Sequence, residues 1–192
     1  MMNYRPMKNI FTLVLVLSSL SIFAQSKFVA GASFNVGFPT GSFANEAETG
    51  IGGSIIGEYF FSEDFSAILS ISYQNYPGKS ENIAVQGQIL DVSINSIPVV
   101  VGGRYYIKNG VYTTLELGSY FFRVNVDASD IYNDEKYSSD YQAKFGGALG
   151  LGYRFNLSEQ SAMDFSGVYQ LIEENLNSVS LRLGILIFLD KI

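Results

Sequence analysis

Hydrophobic and polar residues alternate along most of this chain with a period of two. The clearest example is Val179 to Leu189, where every second residue is a large aliphatic and the residues between them begin with Ser180, Arg182 and Gly184. A period of two is typical of a β-strand whose two faces meet different environments. A continuous aliphatic face on such a strand indicates contact with lipid.

Eight such segments, separated by polar or glycine-containing connections, predict an all-β fold. They cover about 27–38, 51–61, 66–74, 88–107, 111–126, 141–155, 163–171 and 179–189. Connections one, three, five and seven are long and polar, whereas two, four and six are short. Long external loops, short periplasmic turns and periplasmic termini are typical of outer-membrane barrels. We therefore predict an eight-stranded antiparallel up-and-down transmembrane β-barrel in the bacterial outer membrane, with both termini periplasmic.

The fourth predicted strand changes phase along its length. Val92 and Ile94 are apolar at even positions, whereas Val99 and its successors are apolar at odd positions. Proline within a sheet is mostly confined to edges and bulges. A β-bulge between Asn95 and Pro98 would absorb the slip, and we predict one there.

The N-terminal residues are typical of a secretory signal peptide. Arg5 and Lys8 form a basic start, residues 10–24 form a short apolar run, and Phe23-Ala24-Gln25 fits a cleavage site after Ala24. The apolar run is too short for a membrane-spanning helix. We predict a signal peptide at residues 1–24 and one barrel domain at residues 25–192.

Composition narrows the chemistry that the chain can perform. It has 192 residues, no cysteine and no histidine, so it has no disulfide framework. After Ala24 the chain holds 18 acidic and 10 basic residues, a formal charge of −8. The long loops carry the acidic excess, and no basic patch supports nucleic-acid binding. The acidic loop 127–140 lacks the ligand spacing of a known calcium loop, and the glycines of 146–152 lie within a strand rather than before a helix. We expect no metal and no cofactor.

Parity of the alternation places seven charged side chains inside the barrel: Glu58, Arg104, Glu116, Lys144, Arg154, Asp164 and Arg182. An eight-stranded barrel has an interior just wide enough for side chains to fill, and an isolated charge there costs several kcal/mol. If Phe155 pairs with Met163 across the turn, Arg154 lies opposite Asp164. We predict a salt-bridged, non-conducting interior in preference to a polar conduction path.

The end of the last strand resembles the C-terminal assembly signal of bacterial outer-membrane barrels, which is a polar residue, a glycine and then alternating hydrophobics. The matching residues are Arg182, Gly184, Ile185, Ile187 and Leu189. The family signal usually closes on an aromatic residue, whereas Leu189 holds that place here and three residues follow. The resemblance implies that the barrel assembly machinery is a partner.

From Lys27 to Leu189 the chain resembles the small outer-membrane β-barrel domain proteins of Bacteroidetes-type bacteria. More distantly it resembles the barrels of outer membrane protein X and of the OmpA transmembrane domain. The segments Ile97-Pro98-Val99-Val100 and Gly103-Arg104-Tyr105-Tyr106 are similar to the strand and hairpin of a family that includes PorT-like proteins. These resemblances imply the fold and the location, and they leave the activity open.

The sequence favours a non-enzymatic barrel that acts through acidic external loops or as a structural or adhesion component of the envelope. Its expected partners are the lipid bilayer, lipopolysaccharide and a surface partner of the loops, and we expect a monomer. One alternative is a soluble lipocalin-like barrel whose apolar residues line a pocket; another is an accessory barrel of a secretion apparatus. An enzyme is disfavoured because the known outer-membrane enzymes use a histidine and this chain has none.

Overall fold

The computed structural model of the protein describes residues 27–79, 84–85, 88–89, 91–127 and 136–189. The predicted signal peptide lies outside the described residues. The strands are β1 (Lys27–Pro39), β2 (Gly50–Phe60), β3 (Phe65–Pro77), β4 (Ala84–Val85), β5 (Gln88–Ile89), β6 (Asp91–Lys108), β7 (Val111–Asp127), β8 (Lys136–Ser138), β9 (Gln142–Asn156), β10 (Ser161–Ile172) and β11 (Ser178–Phe188). A short helix, α1 (Phe43–Glu46), follows β1, and a 3-10 turn (Glu173–Asn175) precedes β11.

Eight long strands form a closed antiparallel barrel. Their hydrogen-bonded order is β6-β3-β2-β1-β11-β10-β9-β7, and the pairing of β6 with β7 closes the sheet. Each strand therefore pairs with its sequence neighbours, and β1 pairs with β11. The short strand β8 extends the sheet at the C-terminal end of β7. The prediction of an eight-stranded up-and-down barrel is confirmed.

The outer wall carries the apolar set of the alternation. Leu149 is 61% exposed, Leu183 is 49% exposed and Ile185 is 58% exposed. Aromatic residues lie toward both ends of this wall, with Tyr153 near the short turns and Tyr169 near the long loops. Amphipathic rings favour the headgroup region of a bilayer. The outer surface is thus an apolar belt bounded by aromatics.

No bulge lies between Asn95 and Pro98, a segment that the structure describes throughout, so that prediction is wrong. The β3–β6 register keeps one phase from Phe65↔Tyr105 to Pro77↔Ser93, although no pairing joins β3 to Ile97 and Pro98. The irregularity of β6 lies instead between Tyr106 and Lys108, beside the turn to β7.

The apparent phase change has a different cause, because Val92 and Ile94 face inward with the other even residues of β6. Ile94 packs against an apolar cluster that closes the barrel at the long-loop end. Phe43 of α1 is 1% exposed within this cluster. Its ring makes edge contacts to Tyr76 at 5.2 Å and to Phe122 at 6.2 Å between centroids. We call the following residues the mouth cluster: Phe43, Ala47, Tyr76, Val100, Tyr120, Phe122 and Ile172.

Within the described ranges, no helix has the length and apolar character needed to cross a membrane.

Candidate functional site: the charged interior

The lumen is organised in three layers, and the inward face of β7 contributes to each of them at intervals of four residues. Tyr112 lies in a charged network near the short turns, Glu116 lies in an ion pair at mid-height, and Tyr120 lies in the mouth cluster. Since a strand rises by about 3.3 Å per residue, successive members of this set are roughly 13 Å apart along β7. All three side chains are fully buried.

The network near the short turns joins four charged side chains from four strands: Glu58, Arg104, Arg154 and Asp164. Arg104 Nη1 lies 3.3 Å from Glu58 Oε2 and 3.4 Å from Asp164 Oδ1. Arg154 Nη2 donates to Glu58 Oε2, and its Nε lies 3.7 Å from Asp164 Oδ1. Each arginine therefore contacts both carboxylates. Two positive and two negative charges leave this layer neutral.

Three hydroxyl groups complete the coordination of the two carboxylates. Ser66 Oγ donates to Glu58 Oε1 at 2.6 Å, and Tyr106 Oη donates to the same oxygen at 2.7 Å. Tyr112 Oη donates to Asp164 Oδ2 at 2.7 Å. A buried charge is tolerated when it is paired and its remaining hydrogen-bonding groups are satisfied. These hydroxyls supply that additional bonding for both acids.

Aromatic faces cover the two guanidinium groups of this network. The Arg104 guanidinium carbon lies 4.5 Å from the centre of the Tyr112 ring. The corresponding atom of Arg154 lies 5.0 Å from the Tyr106 ring and 5.6 Å from the Phe60 ring. Contacts of this kind between a cation and a ring face are favourable, and more so when water is excluded. They also fill the lumen with planar groups.

A separate ion pair bridges the middle of the lumen. Arg182 Nη1 donates to Glu116 Oε1 at 2.7 Å, and Arg182 Nη2 donates to Glu116 Oε2 at 3.0 Å. Both side chains are buried. A parallel pair of bonds between a guanidinium and a carboxylate is a strong and geometrically specific arrangement.

Lys144 lies apart from both charged layers. Its ammonium group lies 2.5 Å from Glu174 Oε1 at the long-loop end, where the Glu174 side chain is 65% exposed. The neighbouring Glu173 Oε2 accepts a hydrogen bond from the Phe145 backbone N–H at 2.9 Å. Lys144 thus ties β9 to the last loop, whereas the other six predicted interior charges meet within the lumen.

The residues that resemble an assembly signal lie on both faces of β11. Arg182 and Gly184 face the lumen. Ile185, Ile187 and Leu189 face outward and are about half exposed, with values between 49% and 58%.

Sequence reasoning missed the tyrosines of the network and the whole mouth cluster. Tyr106 and Tyr112 occupy even, inward positions, so parity could have found them. Phe43 gave no such sign because it lies in a segment predicted as a polar loop. Among the described residues, no group of three or more histidine, cysteine, aspartate or glutamate side chains could hold a metal ion.

Several solved structures share this fold. Ail, the attachment invasion locus protein of Yersinia pestis, is 17% identical over 85% of this chain and 97% of its own, with a TM-score of 0.53. Neisserial surface protein A is 17% identical over 83% of this chain and 96% of its own, with a TM-score of 0.54. A major outer membrane protein of Thermus thermophilus is 13% identical over 85% of this chain and 99% of its own, with a TM-score of 0.52. At these identities the likeness establishes the fold alone. No functionally curated protein matches the chain.

The sequence profile of the outer membrane protein beta-barrel domain matches residues 10–185. Together with the apolar outer wall, that match overturns the alternative of a soluble lipocalin-like barrel, in which the apolar residues would line the interior. The profile does not distinguish the PorT-like subgroup. The chain belongs to the outer membrane protein beta-barrel domain family and is an outer-membrane β-barrel.

Proposed function

We propose that this protein is a non-enzymatic, non-conducting barrel that holds acidic loops rigidly at the cell surface. The observation that carries the proposal is the Glu116–Arg182 pair, which crosses the lumen with bonds of 2.7 and 3.0 Å. An ion that entered the lumen would have to break this pair and leave both charges without a partner. A buried charge without its partner is strongly unfavourable, as shown by the cost of about 3–5 kcal/mol when one member of a buried pair is removed.

The other two layers support the same proposal. The network around Glu58 occupies the lumen near the short turns, and the mouth cluster occupies it near the long loops. The end near the short turns combines this network with a small apolar cluster of Val29, Ala162 and Leu186, whereas the mouth cluster is apolar throughout. Three layers in series favour a structural role for the interior over a transport role.

Loop lengths support the orientation that we propose, with the long loops outside the cell and both termini in the periplasm. The connections at one end are residues 61–64, 109–110 and 157–160, whereas those at the other end include residues 40–49, 78–90 and 128–141. Outer-membrane barrels usually have short periplasmic turns. In this proposal residues 1–24 are a signal peptide, and the assembly machinery recognises the outward residues Ile185, Ile187 and Leu189.

The loops then act on the cell surface. Ten acidic residues and two lysines fall in the segments predicted as long loops, so these loops would repel anionic lipopolysaccharide unless a divalent cation bridges the two. We propose that the loops make cation-bridged contacts with lipopolysaccharide and present a surface for an extracellular partner.

Planar-bilayer recording tests the closed interior. Purified wild-type protein should give no sustained conductance, while a Glu116→Ala/Arg182→Ala double variant, which opens the middle layer, should give transient openings at most. The matched control is Ser180→Ala, which alters a buried neutral side chain. Sustained conductance of the wild type that scales with salt concentration would overturn the proposal.

A further inference from the structure

A groove of about 600 Å³ crosses the lipid-facing wall of the barrel over β7, β9, β10 and β11. Its volume is within the range of about 300–1,000 Å³ typical of small-molecule sites. The outward residues that line it belong to two neighbouring cross-strand rows, Thr113↔Leu151↔Gly167 and Leu149↔Tyr169↔Val179. We call this feature the wall groove and define it by these six residues.

The wall groove runs obliquely across the apolar belt. One end is Thr113, which lies close to the start of β7 and its short turn, and the other is Val179, which lies close to the start of β11 and its long loop. The strands of membrane barrels are tilted by about 35–45°, so a row of paired residues is inclined to the membrane as well. The wall groove therefore leads from the long-loop end of the belt into the hydrocarbon region.

Gly167 keeps the middle of the wall groove open, although the fold does not require a glycine there. Its φ angle is not positive. The nearest atom to a Cβ added at Gly167 would be Leu181 Cδ2 at 3.4 Å, which is an ordinary van der Waals distance. At the neighbouring Gly150, by contrast, an added Cβ would clash with the Gly167 carbonyl oxygen. The sheet could thus accommodate a side chain at position 167, and that side chain would stand in the groove.

The lining of the wall groove favours a hydrocarbon chain. Leucine and valine side chains form much of it, and its described side chains carry no charge. The Thr113 hydroxyl is already engaged, because it donates to the Gly150 carbonyl at 3.1 Å. Association within a bilayer depends largely on van der Waals packing, and many small contacts add up when atoms surround a chain on several sides. A groove offers a chain more such contacts than a convex wall does.

Tyr169 adds a polar group at the long-loop end of the wall groove. Its side chain borders the groove and is 42% exposed. A phenolic hydroxyl can donate a hydrogen bond, and a tyrosine with an apolar body and a polar tip is suited to a membrane interface. A chain that enters beside Tyr169 brings its own linking ester or amide carbonyl to the height of this hydroxyl. The groove thus has a polar entrance and an apolar interior.

We propose that the wall groove binds one acyl chain of a lipopolysaccharide molecule, with the Tyr169 hydroxyl donating to the carbonyl at the head of that chain. The lining identifies an acyl chain, and the entrance at the long-loop end identifies the leaflet. In the orientation proposed above this is the outer leaflet, which contains the lipopolysaccharide, so the inference rests on the proposed function. It adds a site on the wall to the cation-bridged contacts of the loops.

Competition between lipids in a bilayer tests the site. Because the chain has no tryptophan, Leu171→Trp provides a single fluorescent reporter near Tyr169, and Ile71→Trp provides one on β3, on the opposite wall. Both positions are exposed on the outer wall. The full mature chain is reconstituted in brominated phosphatidylcholine, which quenches the reporters, and lipopolysaccharide is added with EDTA present throughout. It should displace the brominated lipid at least fivefold more effectively at the Leu171→Trp reporter than at the Ile71→Trp reporter.

Variants that fill the wall groove should remove this preference. In the Leu171→Trp background, Gly167→Leu and Val179→Phe should each reduce it to twofold or less, and Tyr169→Phe should at least halve it. The matched control is Gly103→Leu, at an outward glycine of β6 where an added Cβ would come no closer than 3.5 Å to its nearest neighbour. This control should leave the preference unchanged. Heat-modifiable gel mobility verifies that each compared variant is a folded barrel.

Three results would overturn the proposal. Equal displacement at the two reporters, or a preference that persists in both Gly167→Leu and Val179→Phe, would show that the groove does not select lipopolysaccharide. Weaker displacement at the Leu171→Trp reporter than at the Ile71→Trp reporter would assign the groove to a phospholipid chain. A wild-type dimer in detergent that Gly167→Leu converts to a monomer would assign it to a second copy of the chain.

The orientation is tested separately. Because the chain has no cysteine, a Ser138→Cys variant can be labelled on intact cells with a membrane-impermeant maleimide. Labelling supports the proposed orientation, while absence of labelling on intact cells, with labelling of lysed cells, would refute it. Since the lipid competition is measured with EDTA present and on the outer wall, its failure would leave the cation-bridged loops and the closed interior unaffected.

Discussion

Arg182 and Glu116 meet across the lumen although they lie 66 residues apart in the chain. Their strands, β11 and β7, are not neighbours, because β10 and β9 lie between them in the sheet. The pair therefore exists only when the barrel is closed. Its contribution to stability measures an interaction across the interior rather than within one part of the wall.

Replacing either partner should destabilise the barrel substantially. Glu116→Ala leaves the Arg182 guanidinium buried without its carboxylate. Arg182→Ala leaves the Glu116 carboxylate buried without its guanidinium, so each substitution should cost about 3–5 kcal/mol. The double variant should cost less than the sum, since neither charge is then unpaired. Urea titration in lipid vesicles gives the free energies of unfolding. Strictly additive losses would show that the two residues do not interact.

In the network near the short turns, Arg154 should be coupled more strongly to Glu58 than to Asp164. Arg154→Ala and Asp164→Ala should each cost about 3–5 kcal/mol, with the double variant milder than their sum. Since Arg154 contacts Glu58 more closely than it contacts Asp164, the coupling of Arg154 with Glu58 should be the larger. Double-mutant cycles in the same titration provide the comparison. A larger coupling with Asp164 would contradict this geometry.

The network also shows how far sequence reasoning reaches. Alternation placed Arg154 and Asp164 inside, and the turn length predicted their register, which pairs them directly. Alternation could not reveal that Arg154 bonds Glu58, because β2 and β9 approach each other only across the lumen. The turn between two neighbouring strands sets their register, so contacts between them follow from local sequence. Contacts across the lumen depend instead on how the barrel closes and on the tilt of every strand.

The mouth cluster shows where the assumption that apolar residues face lipid fails, although the alternation itself holds. Val92 and Ile94 suggested a bulge because an apolar residue in a membrane barrel is assumed to face lipid. In the structure they face inward, at a level where the lumen is apolar and Phe43 fills it. At this level the even residues of β6 have apolar neighbours inside the barrel.

Arginine on the outer wall should impair folding into a bilayer. Leu183 and Leu149 lie outward on the apolar belt, where an arginine near the midplane costs about 2–4 kcal/mol. Leu183→Arg and Leu149→Arg should therefore fold into liposomes in lower yield, as seen by heat-modifiable gel mobility. Ser166→Arg introduces the same group at a buried inward position, where crowding of the lumen is the cause of any loss. Unchanged mobility of both leucine variants would contradict the assignment of the faces.

Chelation should weaken the contact between the loops and lipopolysaccharide. The acidic excess of the loops repels the anionic lipid, and calcium or magnesium ions can bridge the two. Binding of the purified protein to lipopolysaccharide vesicles should fall on addition of EDTA and recover when magnesium is restored. Vesicles of a zwitterionic phospholipid, which carry no net charge, are the control. Binding to lipopolysaccharide that is indifferent to EDTA would refute cation bridging.

Removing the Phe43 ring should loosen the first long loop without opening the barrel. The ring is almost completely buried against Tyr76 and Phe122, and truncating a buried phenylalanine costs about 3–5 kcal/mol in a protein core. In Phe43→Ala this loss should fall mainly on residues 40–49, which should become sensitive to proteinase K. Phe38→Ala, which removes a partly exposed outward ring of β1, should leave that loop resistant.

Conductance distinguishes the two ways in which the barrel could be closed. In Phe43→Ala the Glu116–Arg182 pair still bridges the lumen, and the network around Glu58 still fills the end near the short turns. We therefore expect no sustained current from this variant in a planar bilayer. A stable, salt-dependent conductance of Phe43→Ala, with wild type and Phe38→Ala silent, would show that the apolar cap closes the barrel and that the charged layers let ions pass.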